Sequence, residues 1–317
     1  MKLTQKEITK LIQIYDLGEV KALKYIKGGA VNYNFYLRTN KGEFIVRILG
    51  REDKDLDKKR ELEFKVLEYL KKHSFSYQIP CPIKNCSKQY ISRINKKKLW
   101  IYRRLNGETP KKMNKKKLKE IARALAEYHR IMKGFPTNIK YKRINIGLLE
   151  KRYSQMRKVK SRNRVDRLML NNLSLFEESL KQVKDFKFHQ NVLLTHQDIH
   201  RTNVLFKGNK LIGILDFENL KMAPRINDIA YITKSLLFNN DRLDKRIFNL
   251  FLKEYERISP LTDKERDSIL PYLAEYNCYM FAEFYEHCFD GKYSNEGCLK
   301  WTINTAKGVA RELGWKI

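Results

Sequence analysis

The stretch that decides the fold runs from Leu193 to Ala230 and reads LLTHQDIHRTNVLF, then KGNK, then LIGILDFENLKMAPRINDIA. Its first part is an apolar run over 192–195, which predicts a short buried strand. This strand is followed directly by the pattern His196-x-Asp198-x-x-x-x-Asn203. A strand that delivers an aspartate and, five residues later, an asparagine is typical of a phosphotransfer loop.

A second apolar strand is predicted over 211–215 and ends at Asp216, about one hairpin after the first. Transfer of a γ-phosphoryl group depends mainly on positioning and on neutralising the charge of the phosphate oxygens. Asp198 can accept or orient the proton of a substrate hydroxyl, whereas Asn203 and Asp216 supply the oxygen ligands that Mg²⁺ prefers. We therefore predict Asp198 as the catalytic residue and Asn203 and Asp216 as metal ligands. The alternative is that all three are ordinary turn or strand-end residues. That alternative gives no reason for the three residues to occur in this order.

The whole segment resembles the aminoglycoside phosphotransferase and choline kinase-like family, and within it the homoserine kinase-like and spore-coat kinase-like branches. The family's loop typically reads H-G-D, whereas Gln197 takes the place of the glycine here. Asp228 matches an aspartate that usually braces the catalytic loop, so its predicted role is structural. The resemblance implies an α+β, bilobal protein-kinase-like fold with an N-terminal antiparallel five-stranded sheet plus helix and a mostly helical C-terminal lobe.

The length and composition fit this expectation. With 317 residues, 42% of them hydrophobic, the chain suits an N-terminal nucleotide-binding lobe over 1–105 and a C-terminal catalytic and acceptor-binding lobe over 106–317. No apolar run approaches the roughly 18 residues of a membrane span, and the polar first residues do not resemble a signal peptide. Five cysteines without a C-x-x-C pair indicate reduced thiols and a cytoplasmic protein, with spore association implied only by the resemblance.

The N-terminal region alternates strand-like runs with turns. An amphipathic helix is predicted over 4–15, with Thr4 as its cap. Strands over 34–39 and 43–49 flank Asn40-Lys41-Gly42, whose composition indicates a hairpin turn. These elements form part of the sheet that the resemblance implies.

A glycine pair precedes the hairpin and is a candidate phosphate-binding turn. Gly28 and Gly29, followed by Asn32, would let backbone N–H groups approach nucleotide phosphates, although such a pair is also common in ordinary turns. Arg47, on the second strand of the hairpin, stands where the kinase pattern has a lysine that holds the α- and β-phosphates. Arginine can bind phosphate through its planar fork.

A cation on that strand requires an acidic partner from the next helix, which is predicted over 55–73. Glu63 matches the position of the family's helix glutamate and is the predicted partner of Arg47, with Glu61 as the second choice. An exposed helical glutamate without any such role is the alternative for either residue.

The end of the N-terminal region is predicted to contain the hinge of the kinase-like fold. The proline-rich stretch 78–82 breaks the helix and is expected to start an edge strand. Two further strands are predicted over 89–94 and 99–105. The resemblance implies that the backbone between Arg103 and Leu105 hydrogen-bonds the adenine edge of the nucleotide.

The formal net charge of +30 is the most unusual property of the composition. Between 133 and 167 the chain has twelve basic and two acidic residues, which suggests an anionic substrate or a polyanionic surface as partner. A solvated helical face is an equally good reading of the same residues. No nucleic-acid-binding motif accompanies the charge, so nucleic acid is not expected as the primary partner.

The C-terminal region is helical and rich in aromatic residues. His129, on the apolar stripe of a helix, is predicted to be a packed histidine rather than a catalytic one. Carboxylates and aromatic residues alternate over 271–290. This pattern is typical either of a cage for a cationic acceptor or of a helix with one core-facing side and one solvent-exposed side. These residues are Glu275, Tyr276, Tyr279, Phe281, Glu283, Phe284, Tyr285, Glu286 and Asp290.

Taken together, the resemblance and the motifs predict transfer of the γ-phosphoryl group of ATP or GTP to a hydroxyl of a small molecule, with Mg²⁺. Acceptors similar to homoserine, choline or a sugar are expected ahead of an aminoglycoside, because a polycation would be repelled by a protein of charge +30. The alternative is a kinase-fold spore-coat protein that binds or scaffolds with weak or no catalysis.

Overall fold

The computed structural model describes residues 3–27, 32–50, 54–188, 191–289 and 296–316. Within these residues the chain folds as two compact units. The first comprises Met1–Pro110 and Asn203–Leu220, and the second comprises Lys111–Thr202 and Lys221–Ile317. The functional division of the chain at residue 105 stays a prediction.

The described residues of the first unit form two helices, a five-stranded sheet and a separate hairpin. The elements are α1 (Gln5–Tyr15), β1 (Val20–Ile26), β2 (Tyr33–Thr39), β3 (Gly42–Ile48), α2 (Lys54–Lys72), β4 (Ser92–Ile94), β5 (Lys97–Arg103), β7 (Val204–Lys207) and β8 (Lys210–Ile214). The sheet is antiparallel in the order β1-β2-β3-β5-β4.

Helix α1 begins as its sequence predicts. The Thr4 hydroxyl accepts from the Glu7 N–H at 3.3 Å, and the Glu7 carboxylate accepts from the Thr4 N–H at 2.9 Å. This reciprocal pair satisfies two N–H groups that a helix start leaves without partners. The buried side chains of the helix, among them Leu11 and Tyr15, pack against the core of the sheet.

The hairpin of β2 and β3 is confirmed, with Thr39 opposite Gly42 across the turn. Alternate residues of the strands face a common core, because side chains on a strand point to opposite faces in turn. The sheet side chains of this core are fully or almost fully buried. They are Phe35, Leu37, Phe44, Val46, Ile48, Ile94, Leu99 and Ile101.

The edge strand expected from 78–82 does not form. Gln78 makes an isolated parallel bridge to Gly213, and Pro82 an isolated antiparallel bridge to Tyr102. Pro80 and Pro82 have no N–H group to donate to a ladder, so this stretch cannot continue as a strand. The strand predicted over 89–94 is likewise reduced to the three residues of β4.

The second unit is mainly helical in the residues that the structure describes. Its elements are α3 (Lys115–Met132), α4 (Ile146–Arg157), α5 (Arg164–Leu170), α6 (Leu173–Lys184), β6 (Val192–Thr195), β9 (Lys221–Pro224), α7 (Ile226–Ile232), a π-helical segment (Thr233–Leu237), β10 (Phe238–Asn239), β11 (Arg242–Leu243), α8 (Lys245–Glu256), α9 (Asp263–Phe289) and α10 (Glu296–Glu312).

The long helix α9 packs against α6, α7 and α10. Phe281 on α9 stacks on Phe176 of α6 with ring centroids 3.8 Å apart, and both rings are fully buried. Phe281 is therefore part of the helical core, in agreement with the interpretation of residues 271–290 as core residues of a helix. Among the helices of the described residues, none combines the length and the apolar character of a membrane span.

Candidate active site

The predicted catalytic loop begins where β6 ends and is held by the side chain of Asp228. The N–H groups of His196 and Gln197 donate to the two carboxylate oxygens of Asp228 at 2.9 and 2.7 Å. His129 donates from Nε2 to Asp228 at 2.9 Å, and its Nδ1 lies 2.6 Å from the hydroxyl of Tyr255. Asp228 thus braces the loop, and His129 is packed, as predicted for both residues. Burial lowers the pKa of His129, which favours the neutral ring.

Gln197 occupies the position where the family's loop usually has glycine, and its backbone explains that preference. Its φ angle of 67° lies in the left-handed region, which costs a residue with a Cβ roughly 1–2 kcal/mol. The side chain offsets part of this cost, because its Nε2 donates to the Thr195 hydroxyl at 2.6 Å. The loop thus holds a non-glycine residue in the left-handed region.

Asp198, the predicted catalytic residue, has a partner that the sequence reading missed. The hydroxyl of Tyr231 donates to its Oδ1 at 2.7 Å, and His200 Nε2 lies 3.4 Å from the same oxygen. Tyr231 is on α7, three residues after Asp228, so one short helix positions both the brace and this donor. A hydrogen bond of this kind orients the carboxylate.

The two predicted metal ligands lie at the ends of one hairpin in the first unit. Asn203 precedes β7 and Asp216 follows β8, and the register of the hairpin places Val204 opposite Ile214. The N–H of Leu215 donates to the Asn203 carbonyl at 2.8 Å, so the two ends are joined by a backbone hydrogen bond. An amide and a carboxylate oxygen on neighbouring backbone form a donor set suited to Mg²⁺.

Arg47 lies on β3, almost buried, beside the acidic residues that follow β8. Its Nη1 is 2.8 Å from Glu218 Oε1, and its Nη2 is 3.6 Å from Asp216 Oδ1. Burial opposes its charge, but the fields of Asp216 and Glu218 outweigh burial and raise the pKa of Arg47. The arginine is therefore a fixed cation directly next to the predicted metal ligand.

Glu63 is buried on α2, but its ion pair is not the one that the sequence predicted. Its Oε2 is 2.6 Å from Arg60 Nη1, whereas Arg47 pairs with Glu218. Arg60 also lies 3.2 Å from Glu218 and so links the two groups. The expected direct pair is replaced by the series Glu63–Arg60–Glu218–Arg47. The physical reason is the one-turn spacing of Arg60 and Glu63, which places both on the same face of the helix.

Glu218 is the junction of this cluster, and the sequence reading gave it no role. Besides the two arginines, it accepts a hydrogen bond from Asn32 Nδ2 at 2.6 Å. Burial alone would raise its pKa, but the attraction of Arg47 and Arg60 lowers it. Glu63, more deeply buried, has its pKa raised to about 7 by burial, against the attraction of Arg60 and Arg47. The position of Glu218, two residues after Asp216, was the available signal.

The structure describes only some of the other residues that were predicted for the nucleotide site. Gly28 and Gly29 lie outside the described residues, and Glu61 is on the exposed side of α2. Strand β5 ends at Arg103, and the next N–H, that of Arg104, donates to the Glu43 carbonyl at 2.9 Å. The hinge role of Arg103 and Leu105 stays a prediction.

Two of the C-terminal carboxylates are neutralised by arginines of the basic segment. Glu275 pairs with Arg143 at 2.5 Å, and Glu283 pairs with Arg152 at 2.6 Å. The side chains of Tyr285, Glu286 and Asp290 lie outside the described residues. Three further arginines of the segment, Arg157, Arg162 and Arg164, also pair with carboxylates. Much of the segment's positive charge is thus used inside the second unit, and a polyanionic partner stays a prediction.

Residues 22–261 match the family model described as "Phosphotransferase enzyme family". The chain belongs to this family. The match spans about three quarters of the sequence and includes the catalytic loop, its brace and the acidic residues after β8. As a family member, the phosphotransferase is a small-molecule kinase whose acceptor group is a hydroxyl.

The phosphotransferase is similar in sequence to homoserine kinases of bacteria. It is 25% identical over 305 residues to the homoserine kinase of Rhizobium meliloti, with 94% of this chain and 88% of the relative covered. It is 27% identical over 293 residues to that of Beijerinckia indica, with 88% and 84% covered.

Solved structures confirm the predicted fold class. A spectinomycin phosphotransferase in complex with ADP and spectinomycin superposes with a TM-score of 0.70 at 14% identity and 98% coverage of both chains. A microcompartment-associated aminopropanol kinase gives a TM-score of 0.69 at 14% identity, again with 98% of each chain covered. At these identities the likeness concerns the fold and leaves the acceptor open.

Proposed function

We propose that the phosphotransferase moves the γ-phosphoryl group of ATP or GTP to the hydroxyl of a small amino-acid-like acceptor, with homoserine as the first candidate. The observation that carries the proposal is the family match over residues 22–261. Relatives named as homoserine kinases, aligned over most of the chain, support the acceptor class.

In this proposal Asp198 takes or orients the proton of the acceptor hydroxyl. The hydrogen bond from Tyr231 supports the role, because it holds the carboxylate oxygen in one direction, within reach of a substrate hydroxyl. The bonds from the loop's N–H groups to Asp228 restrict the backbone that carries Asp198. Holding a reacting group in one geometry lowers the activation barrier, because less entropy is lost on reaching the transition state.

The first unit supplies the groups for the nucleotide. Asn203 and Asp216 would hold Mg²⁺, which when bound neutralises charge on the phosphate oxygens. Arg47 would contact phosphate through its guanidinium. Glu218, Arg60 and Asn32 would keep this guanidinium in place. The roles of Gly28, Gly29, Arg103 and Leu105 follow from the resemblance alone.

Nucleotide binding and turnover separate these roles experimentally. In wild type, Mg²⁺ with ATP or GTP at about 100 times its dissociation constant should stabilise the fold by about 2.7 kcal/mol, measured as a thermal shift. Asp216→Ala should lose this Mg²⁺-dependent shift. Asp198→Ala should keep the shift but lose phosphotransfer by about 10²–10⁴-fold, because it lacks the base.

Asp267→Ala, at an exposed carboxylate on α9, is the matched control and should change neither property. Turnover is followed by nucleoside diphosphate release with homoserine, 3-amino-1-propanol, choline, a sugar and spectinomycin as acceptors. Full phosphotransfer by Asp198→Ala would show that the catalytic assignment is wrong. Absence of turnover with every acceptor, despite nucleotide binding, would contradict the proposed acceptor class.

A further inference from the structure

A series of buried hydrogen bonds continues behind Asp228, on the side away from the predicted catalytic loop. His129 on α3 donates to Asp228, and the hydroxyl of Tyr255 on α8 lies 2.6 Å from Nδ1 of His129. Each of the three residues is at most 2% exposed. Each polar group therefore depends on its neighbour, because an unsatisfied buried donor or acceptor is costly.

The surroundings select one tautomer of the His129 ring. Burial lowers the pKa of His129, so the ring is neutral and has one N–H donor and one acceptor nitrogen. The two oxygens of Asp228 each accept from an N–H group of the loop, and a carboxylate can only accept from the ring as well. The ring proton is therefore on Nε2, and Nδ1 is the acceptor.

Tyr255 is the group that keeps Nδ1 in the acceptor state. Burial raises the pKa of its phenol to about 12, so the hydroxyl keeps its proton and donates a hydrogen bond to Nδ1. The phenol oxygen accepts from the Ser259 side chain, and the Ser259 hydroxyl accepts from Nη1 of Arg225 at 2.6 Å. All donors of this series point towards the carboxylate. The members are Arg225, Ser259, Tyr255, His129 and Asp228.

The far end of the series is anchored close to its beginning in the chain. Arg225 directly precedes α7, and Asp228 is in the first turn of that helix. Nε and Nη2 of Arg225 also donate to the two carboxylate oxygens of Glu265 at 2.6 and 2.7 Å, so the arginine is fixed. Hydrogen bonds that run in one direction polarise and strengthen one another. The whole series thus stabilises the bond from His129 to Asp228.

The other tautomer of His129 would weaken the brace of the loop. A proton on Nδ1 would turn the lone pair of Nε2 towards a carboxylate oxygen only 2.9 Å away, and a hydrogen bond to Asp228 would be lost. The same carboxylate holds the N–H groups of His196 and Gln197, the two residues before Asp198. The position of Asp198 therefore depends on the tautomer.

We propose that Tyr255 is a positioning residue for the catalytic loop, which acts on Asp198 by fixing the tautomer of His129. The inference rests on the proposed function, in which Asp198 takes or orients the proton of the acceptor hydroxyl. It adds to that function a side chain of α8 that acts only through other residues.

Removal of one hydroxyl tests the inference. Tyr255→Phe should lower kcat for phosphotransfer to homoserine about 3- to 10-fold, as expected for one weakened buried hydrogen bond behind the loop. The KM values for nucleotide and homoserine should change less than about twofold, because no binding group is altered.

Tyr153→Phe is the matched control. It removes a hydroxyl that is likewise buried and donates to the Cys278 carbonyl at 2.7 Å, but this tyrosine belongs to α4. We expect a similar loss of thermal stability in both variants, and an unchanged kcat in Tyr153→Phe. A purely structural role of Tyr255 would give both variants the same kcat.

A second background separates the tautomer from a general loss of packing. His129→Gln provides an amide that can donate to Asp228 and that has no tautomers. In this background, Tyr255→Phe should therefore lower kcat less than about twofold further. A further loss as large as in wild type would overturn the role of the tautomer.

Two measurements that need no turnover test the inference in the protein alone. The two-bond ¹H–¹⁵N correlation spectrum of the histidine rings should show His129 with its proton on Nε2 in wild type and a mixture of tautomers in Tyr255→Phe. Amide hydrogen exchange of His196 and Gln197 should be about 3- to 10-fold faster in Tyr255→Phe than in Tyr153→Phe.

These measurements separate failure of the inference from failure of the proposed function. If wild type transfers no phosphoryl group but the tautomer and the exchange rates change as expected, the proposed function is wrong and the positioning of the loop by Tyr255 stands. A proton on Nδ1 in wild type would overturn the inference. Equal exchange rates in Tyr255→Phe and Tyr153→Phe, or equal kcat values where wild type is active, would overturn it too.

Discussion

Each of the two units buries charged side chains, and the surroundings of these charges differ between the units. In the first unit, two arginines and three carboxylates alternate, from Glu63 through Arg60, Glu218 and Arg47 to Asp216. In the second unit, Lys234 is buried among neutral polar groups and aromatic rings. In the first cluster every charged group contacts one of opposite sign, whereas Lys234 has no carboxylate partner among the residues that the structure describes.

This difference determines how each cluster affects the stability of the folded protein. A series of alternating positive and negative side chains has one favourable arrangement. Any other pairing of these side chains would bring two buried charges of the same sign into contact. Such a cluster suits the precise placement of Arg47. A buried cation without a carboxylate partner is costly to the folded protein, and burial accordingly lowers the pKa of Lys234 to about 7. Two changes test the contrast and a third measures the backbone strain at Gln197, in order from the largest expected effect to the smallest.

Breaking the compensated cluster should have the largest effect on stability. Arg60→Met retains the length of the side chain but leaves the buried carboxylate of Glu63 without its ion pair. We expect the free energy of unfolding to fall by about 3–5 kcal/mol, measured by urea denaturation. Arg104→Met is the control, because its ion pair with Glu43 is exposed on both sides and should contribute little to the free energy of unfolding. Equal effects of the two substitutions would contradict the contrast.

Removing the uncompensated cation should act in the opposite direction. Lys234→Met should raise the free energy of unfolding by about 2–4 kcal/mol at pH 7, because the lowered pKa of Lys234 is a cost of folding. The sign depends on pH. Between about pH 7 and the ordinary lysine pKa near 10.4, the unfolded state binds more protons than the folded state, so wild-type stability rises with pH in this window.

The gain from Lys234→Met should therefore shrink by at least about 1 kcal/mol between pH 7 and pH 9. Urea denaturation at the two pH values measures this change, with Lys307→Met, at an exposed position of α10, as the reference for the titration of exposed lysines. A loss of stability at pH 7, or a gain that does not depend on pH, would mean that the lysine is not a buried uncompensated charge.

The backbone strain of the catalytic loop provides the smallest effect. Gln197→Ala and Gln197→Gly both remove the hydrogen bond to Thr195, so their difference isolates the left-handed backbone. Gln197→Gly should be more stable than Gln197→Ala by about 1 kcal/mol, since glycine adopts a φ of 67° without a steric cost. Equal stabilities would show that the loop relaxes instead of storing strain.

Much of the fold could be predicted because its signals are local. The cap of α1 depends on Thr4 and Glu7, three residues apart, and the strand of residues 192–195 forms over the predicted span. The stretch 78–82 failed as a strand because the missing N–H groups of its two prolines outweigh its apolar character. The fold class followed from a resemblance that covers most of the chain and was confirmed by solved structures.

For the candidate site, too, the local features could be predicted from the sequence, whereas the long-range contacts could not. The pattern from His196 to Asn203 sets residue types at fixed intervals on a single loop, so the sequence alone determined that the chain carries the groups of a phosphotransfer reaction. The tertiary structure decided which side chains hold them. Tyr231 reaches Asp198, and Glu218 rather than Glu63 pairs with Arg47. Lys234 was placed in the core, 4.6 Å from the ring centroid of Trp301. Ion pairs and buried charges depend on distances of a few ångströms between residues far apart in the chain, and no spacing in the sequence encodes these distances.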